Sequence, residues 1–522
     1  MFEKRPDLID LGQERIRTLH FTWIAFFITF YVWFNMAPLA TTMLRDLGGD
    51  DGWLTKDHIK VLAICNVALT IPARVFIGAL LDRYGPRRVF SVLLVVMSIP
   101  TFAFALGNSF TQLLIARLLL SIIGAGFVIG IRMVAQWFPP NMMGRAEGFY
   151  AGWGNFGSAA AAMTLPWIAL HILGDYESGW RYAMVANGVV SLAYGFIYYA
   201  VVRDTPRGEN FIGTRKTGPM LLSSRTDLIQ YLIWSVPMMG ALGLLAWRVS
   251  NITVGKGDSA SPVISDTVLV LIWVVLAVVY IAHAAKTLQI NLPHLRNGVP
   301  PGERFSFNNV AALNATYFAN FGAELAVVSM LPAFYEETFA LSPSVAGLVA
   351  SSFAFVNLFA RPLRGLLSDS LANRKRVMIG YMAGITIGFL GMAFIGEAWP
   401  LWLAVTLTIV TSMFVQGAEG ATFAIIPMVN RRMTGQVAGM AGAYGNVGAV
   451  VFLVVLSLVE PRTFFLVLAA SAAFSVVYCL LFLQEPRGAF AEEYESVEVE
   501  PQLSPSGREE TGTTHYADDI RG

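Results

Sequence analysis

The sequence predicts an all-α polytopic membrane fold: two six-helix halves with two extra helices between them, fourteen spans in all. Three observations predict it. The 522 residues are 55% hydrophobic and only 14% charged, with a mean hydropathy of +0.58, whereas a soluble domain carries about a quarter charged residues. Apolar runs of about 20 residues, the length that crosses a ~30 Å hydrocarbon core, recur along the chain. A membrane β-barrel would show short alternating segments instead. Finally, two stretches of the first half return in the second at a nearly constant offset.

The spans follow in order. A charged segment, "EKRPDLIDLGQERIRTLH", precedes the first apolar run without a clear cleavage site, so residues 1–19 read as a tail before a retained first helix. Within the first half, residues 20–203, apolar runs cover about 20–44, 57–81, 88–107, 110–137, 146–172 and 180–201. The central stretch 204–304 holds two more, about 227–248 and 265–285. The second half, 305–484, repeats six: about 308–340, 344–367, 376–395, 399–428, 435–458 and 463–483. Residues 485–522 are acidic and rich in Ser, Thr, Pro and Gly, a composition that favours disorder.

Loop charge sets the orientation. With the N-terminus inside, the cytoplasmic loops receive Arg83, Arg87, Arg88, Arg145, Arg203, Arg207, Arg374, Lys375, Arg376, Arg431 and Arg432. The opposite loops carry Asp50, Asp51, Asp175, Glu177, Glu336, Glu337 and Glu397. Both termini are therefore expected in the cytoplasm, with the protein in the plasma (inner) membrane. The balance of 36 basic and 35 acidic residues gives no basic array for a nucleic-acid partner. Cys65 and Cys479 both sit in apolar runs, so neither a disulfide nor a metal site is expected.

The repeat is specific. "ARVFIGALLDRYGPRR" (73–88) lies over "ARPLRGLLSDSLANRKR" (360–376), so that Arg74, Gly78 and Asp82 fall on Arg361, Gly365 and Asp369, each 287 residues on. "GRAEGFYAGWGNFG" (144–157) lies over "GQVAGMAGAYGNVG" (435–448), which puts Asn155 on Asn446, 291 residues on. Two six-helix halves in parallel repeat resemble the major facilitator superfamily. Repeat copies must face the same side, so the helices between the halves must be even in number. Both central runs are long enough to span; if neither crossed, the count would be twelve.

Arg74 and Arg361 sit deep in apolar runs, where an uncompensated guanidinium costs at least ~2.5 kcal/mol. Each must face a partner or a cavity. Equivalent depth in the two halves lets the pair converge on one ligand, and the planar, bidentate fork suits a planar oxyanion. A structural ion pair with an intramembrane acid is the alternative. "GALLDRYGPRR" resembles the superfamily loop between helices two and three, whose role is conformational. Asp82 with Arg83, Arg87 and Arg88, and Asp369 with Arg364, are accordingly read as gate residues.

"AGWGNFG" and "GAYGNVG", with the two arginines, "RTLHFTWIAFF", "NLFARPLRGLLSD" and "AEGATFAIIPMVNRRMTG", resemble the nitrate/nitrite porter family, closest to its plant, algal and cyanobacterial uptake carriers. The resemblance covers most of the chain outside the central pair and the tail. It implies that Arg74 and Arg361 hold the anion, that Asn155 is a pocket residue and that Tyr317 donates a hydrogen bond. It further implies that Phe127 and Phe321 sandwich a planar anion, which would exclude tetrahedral sulfate and phosphate by shape. Asn446, the mate of Asn155, is expected near the same cavity. The glycines are expected to thin one helix wall in each half so that the halves slide past a small ligand. Arg364 stands where family members commonly have glycine, which alters the local charge.

Two intramembrane acids, Glu324 in "FGAELAVVSM" and Glu419 in "QGAEGATF", are candidate proton sites, the alternative for each being structural pairing with an arginine or a helix-crossing hydrogen bond. A carboxyl kept from water can take up and release a proton near neutral pH. The "FGAEL" acid resembles the proton-coupled branch of the family. Moving an anion inward against an inside-negative potential costs ~2.3 kcal/mol per 100 mV, so nitrate uptake needs a coupling ion. Of the arginines in span four, Arg132 lies near the cytoplasmic end. Arg117 lies in the outer third, where Glu324 or an outer acid is its expected partner; neither is read as a substrate ligand. The reading is thus a nitrate and nitrite carrier driven by protons and working by alternating access. It is expected to act as a monomer, without cofactor and without enzymatic activity. The alternatives are a nitrate/nitrite exchanger, a carrier of another small monovalent anion, and a transporter-like nitrate sensor.

Overall fold

The computed structural model describes residues 8, 10–48, 52–138, 140–172, 178–208, 219–254, 261–300, 304–360, 373–429 and 434–485. The first half comprises α1 (Glu14–Trp33), the short α2 (Ala40–Leu47), α3 (Lys56–Ala68) continued by α4 (Thr70–Tyr84), and α5 (Pro86–Ala105). It goes on with α6 (Phe110–Leu120), a 3-10 turn (Ser121–Ala125), α7 (Gly126–Trp137), α8 (Pro140–Trp167) and α9 (Gly179–Val201). The central pair is α10 (Arg225–Ser250) and α11 (Asp266–Arg296), flanking an antiparallel hairpin in which Thr253 pairs with Pro262. The second half is α12 (Phe307–Phe339), α13 (Pro343–Phe355), α14 (Arg374–Met392), α15 (Leu401–Val429), α16 (Thr434–Leu458) and α17 (Pro461–Phe482).

Twelve helical segments among the described residues are long and apolar enough to cross a membrane, and α10 and α11 are among them. The fifth and eleventh of the fourteen expected positions are filled by α8, 28 residues long, and α14, 19 residues long. The same neighbours pair in each half: α1 packs on α8 and α5 on α9, as α12 packs on α16 and α14 on α17. The halves meet where α3 and α4 run along α16, and where α8 runs along α13. Val75, Phe76, Ile99, Trp402 and Leu481 stand exposed on the outside, while the adjoining Arg74 is fully buried. That inversion of the water-soluble pattern suits a lipid surround.

Two spans are broken at the same depth. Pro72 has no N–H for the carbonyl of residue 68, and its ring crowds that carbonyl. Accordingly α3 stops at Ala68, and Leu69 N–H turns to the Ser121 hydroxyl at 3.1 Å. Opposite, span four tightens into its 3-10 turn, where Gly124 lies so close to the Trp33 indole that no Cβ would fit.

The central pair rides on the second half. On α10, Gln230 donates to Asn308 at 2.8 Å, Asp227 accepts from the Phe307 N–H at 2.8 Å, and Arg248 donates to Ser457 at 2.8 Å. The Tyr444 hydroxyl donates to the Trp234 carbonyl. Contact with the first half includes His58 Nε2 against the Thr253 carbonyl at 3.2 Å. Most of the α11 surface is exposed, as expected of a lipid-facing helix.

On the face that carries the basic loops, an acid follows the last helix of each half and caps the third. Asp204 accepts the Arg87 N–H at 2.7 Å at the start of α5. Glu485 accepts the N–H groups of Arg374 and Lys375, each at 2.8 Å, at the start of α14. Carboxylates at helix N-termini are favoured by the exposed N–H groups and the helix dipole. Burial nevertheless pushes the Asp204 carboxyl above the ordinary aspartate range, outweighing the Arg87 N–H and the nearby Arg87 and Arg88 charges. A carboxyl raised in the folded state stabilises it below the unfolded pKa of about 4, and that contribution is lost as pH rises through the folded value. Asp204→Asn keeps the acceptor and removes the charge. Its melting temperature relative to the native chain should therefore rise as the pH is raised above about 4, read by thermal unfolding in detergent. Asp204→Ala removes the cap and should destabilise by ~1 kcal/mol.

Candidate functional site

Arg74, two residues beyond Pro72, points from α4 into the contact with α16. Its side chain is fully buried. Nη1 donates to the Gly442 carbonyl on α16 at 2.6 Å, and Nη2 reaches the Gly124 carbonyl of the 3-10 turn at 3.5 Å. A Cβ at Gly442 would stand 3.2 Å from Nη1, so glycine is what lets the guanidinium approach the backbone of the other half. The guanidinium carbon lies 5.0 Å from the Phe321 ring centre and 5.9 Å from that of Phe127. Tyr317, stacked on Phe321 at 4.9 Å and 8°, also interacts with Arg74. Nε of Arg74 has no partner.

These contacts are to carbonyls, the Tyr317 hydroxyl and π faces. The described acid whose charge reaches Arg74 is Glu419 on α15. A guanidinium held so deep, with neutral hydrogen-bond acceptors, favours an anionic visitor. Phe423, which the sequence reading passed over, closes the site on the basic side. Its ring meets Phe127 edge-on at 5.2 Å and Tyr317 at 5.1 Å, joining the two halves. On the acidic side, Lys56 pairs with Glu337 at 2.6 Å and the Thr41 hydroxyl donates to Glu336 at 2.9 Å, again between halves. Phe423 is half-buried and the other site residues are at most 4% exposed, so the arrangement is closed on both sides.

Asn155 and Asn446 occupy matching places. Each is fully buried and donates Nδ2 back to a carbonyl four residues earlier, Ala151 at 2.8 Å and Gly442 at 3.1 Å. Each leaves Oδ1 without a partner. Asn446 thereby shares the Gly442 carbonyl with Arg74, which places it at the site.

The glycines do something other than the expected sliding between halves. A Cβ at Gly154 would collide with the Phe26 ring and one at Gly157 with the Phe27 carbonyl, both on α1. Gly448 likewise sits against the Phe318 carbonyl on α12. They seat the fifth helix of each half on the first, as small residues do in membrane helix packing. Gly442, by contrast, faces the other half. Gly445 backs the Tyr317–Phe321 stack: its Cβ would fall 2.6 Å from Phe321 and 2.7 Å from Tyr317. Gly445→Ala must therefore displace both rings, an overpacking cost of ~1–3 kcal/mol. Transport per folded molecule is expected to drop about tenfold, measured as initial uptake into proteoliposomes.

Glu324 lies one turn beyond Phe321 on α12 and is 2% exposed. Its Oε1 accepts from Asn357 Nδ2 at 2.9 Å and from Gln416 Nε2 at 2.8 Å, a helix-crossing amide cradle from the tenth and twelfth spans whose members the sequence does not single out. Glu419 follows Gln416 by three residues on α15 and is 1% exposed. Arg117 does not meet Glu324: it is held within the first half by Asn35 and the Trp33 carbonyl. Among the gate residues, Arg87 bonds the Tyr199 carbonyl at 2.8 Å as well as Asp204, while Arg83 and Arg88 are exposed. Arg361, Arg364 and Asp369, and the side chain of Asp82, lie outside the described residues.

A model of the Major Facilitator Superfamily matches residues 22–299 and 313–510. The "Nitrate/nitrite transporter NrtP" of Nostoc punctiforme is 44% identical over 92% of this chain and 95% of its own. The chain belongs to the nitrate/nitrite porter family of the major facilitator superfamily. A second NrtP, from a Picosynechococcus, is 42% identical over 95% of this chain and 98% of its own. The "High-affinity nitrate transporter 2.3" of Oryza sativa is 26% identical over 85% of this chain and 72% of its own. Solved structures share the porter's fold. A D-xylose-proton symporter superposes with a TM-score of 0.60 at 14% identity, over 91% of this chain and 99% of its own. The human organic anion transporter MFSD10 gives 0.55 at 12%, over 90% and 100%. This porter is a multi-pass membrane transporter and not an enzyme.

Proposed function

We propose that this porter carries nitrate and nitrite into the cell by alternating access, coupled to protons. The observation that carries the reading is Arg74: fully buried at the contact between halves, on a carbonyl of the opposite half and against Phe321. A planar monovalent oxyanion fits between a guanidinium fork and flat aromatic faces. Arg361, its repeat mate, is assigned the second arm of the clamp, with Phe127, Tyr317, Asn155 and Asn446 around the ion. Glu324 is the favoured proton site, with Glu419 second, because a three-residue step along α12 separates it from Phe321, about 4.5 Å of rise. Phe423 acts as the inner gate, and the Lys56–Glu337 and Thr41–Glu336 contacts as the outer one. By the positive-inside rule the basic face lies in the cytoplasm, with both termini. One chain suffices, since each half supplies one arm.

The test is nitrate and nitrite uptake by the purified chain in proteoliposomes under imposed pH and voltage gradients. Accumulation driven by an inward proton gradient is the expected result. Uptake that ignores pH but requires internal nitrite would replace symport by exchange. Loss of all flux in the folded protein would leave only a sensor.

A further inference from the structure

The first half holds a second buried arginine that this clamp does not use. Arg117, near the end of α6, is 1% exposed. Nη1 donates to Oδ1 of Asn35 at 2.8 Å and Nη2 to the Trp33 carbonyl at 2.7 Å, while the Phe104 ring centre lies 5.4 Å from the guanidinium carbon. All three partners are neutral. Among the described residues, the titratable side chain whose charge reaches it is the Cys65 thiol, itself buried. Two N–H groups of the cluster have no acceptor: Nε of Arg117 and Nδ2 of the fully buried Asn35. A buried guanidinium without a carboxylate is costly, and idle donors beside it add to the cost. An anion relieves both.

The cluster also lies on the right line. Arg117 precedes Gly124 by seven residues, about 10 Å of helix at 1.5 Å per residue, toward the acidic face. The Gly124 carbonyl looks at Arg74. Trp33 joins the two places: its carbonyl takes Arg117, its indole packs on Gly124, and its Nε1 donates to the Asn66 carbonyl at 2.5 Å. On the other side, Asn35 lies two residues past the end of α1 and leads through the turn at Ala37–Leu39 to Thr41, a member of the outer gate. Arg117 and Asn35 therefore stand between that gate and the clamp.

We propose that Arg117 and Asn35 form a second anion station, which takes a small monovalent oxyanion between the acidic face and Arg74. The inference rests on the proposed function, since it places the same class of ion at a second point of its path. It also gives Arg117 a ligand role that its sequence context had not suggested.

Asn35→Asp provides the test. Aspartate keeps the shape and the acceptor for Nη1 but places a carboxylate on Arg117, cancelling its charge where it stands. Nitrate binding to the full-length protein in detergent, followed calorimetrically, should show two ions per native chain and one per variant. The KM for nitrate uptake in proteoliposomes should rise about tenfold, with the melting temperature of the variant unchanged or raised. A stoichiometry of one in the native chain, or a variant KM within about twofold of native, overturns the station. A native chain that neither binds nor moves nitrate instead fells the proposed function, and the station with it.

Discussion

Replacing Arg74 by lysine is expected to lower nitrate uptake about a hundredfold at subsaturating nitrate, equivalent to roughly 2.7 kcal/mol of lost stabilisation. The native guanidinium serves several directions at once. Nη1 is committed to the Gly442 carbonyl at 2.6 Å, the guanidinium carbon lies over the Phe321 ring at 5.0 Å, and Nε is left without a partner. A lysine ammonium keeps the charge but has no plane to lay on the ring and no fork to divide between a carbonyl and an ion. It is also more strongly hydrated, so holding it in a fully buried place costs more. The measurement is initial-rate uptake into proteoliposomes, normalised to monodisperse protein so that a folding defect is not read as a transport defect. Uptake within about threefold of native would mean that Arg74 is a structural buried cation rather than an anion ligand.

Much of this was legible in the sequence because membrane folding leaves a coarse signature. Spans must be long and apolar, and a charge within one must have a reason, so Arg74, Glu324 and Glu419 stood out individually. The repeat then placed Asn446 beside Asn155, and both prove to be buried with the same back-bonded geometry. What escaped were partnerships between residues distant in sequence. The Asp204 cap on Arg87 spans 117 residues and the Thr41–Glu336 contact 295. Arg117 was expected to seek an acid because a carboxylate is the usual remedy for a buried guanidinium. Asn35 and the end of α1 supply neutral oxygens instead, and nothing in the local pattern distinguishes that Asn from a cap. The glycine motif misled for a physical reason as well: close helix approach inside a half and between halves calls for the same residue. One missed signal was available. Asn357 and Gln416 are amides inside apolar runs, and such groups must bond to something; a carboxylate in a neighbouring span was the natural acceptor.

The cradle around Glu324 makes the second large effect clean to predict. Glu324→Gln should abolish nitrate accumulation driven by a pH gradient while leaving counterflow of labelled for unlabelled nitrate. Both amide contacts converge on a single oxygen, Oε1, from Asn357 at 2.9 Å and Gln416 at 2.8 Å. Glutamine retains an oxygen that accepts both, so α12 stays anchored to the tenth and twelfth spans and the neighbouring Phe321 keeps its place. What is lost is the ability to carry a proton. For one proton per anion the cycle moves no net charge, and each unit of pH gradient supports about tenfold accumulation, equivalent to ~1.4 kcal/mol. Without the proton the inside-negative potential opposes the anion by ~2.3 kcal/mol per 100 mV, so accumulation inverts to exclusion. The check is the steady-state internal nitrate of proteoliposomes at fixed voltage and varied pH gradient, beside the counterflow rate. Should Glu324→Gln still accumulate nitrate in proportion to the gradient, the proton travels elsewhere. Glu419, whose charge already reaches Arg74, is then the carboxylate to replace. Loss of counterflow as well as accumulation would make Glu324 part of the anion site or its scaffold, and would separate it from the coupling role altogether.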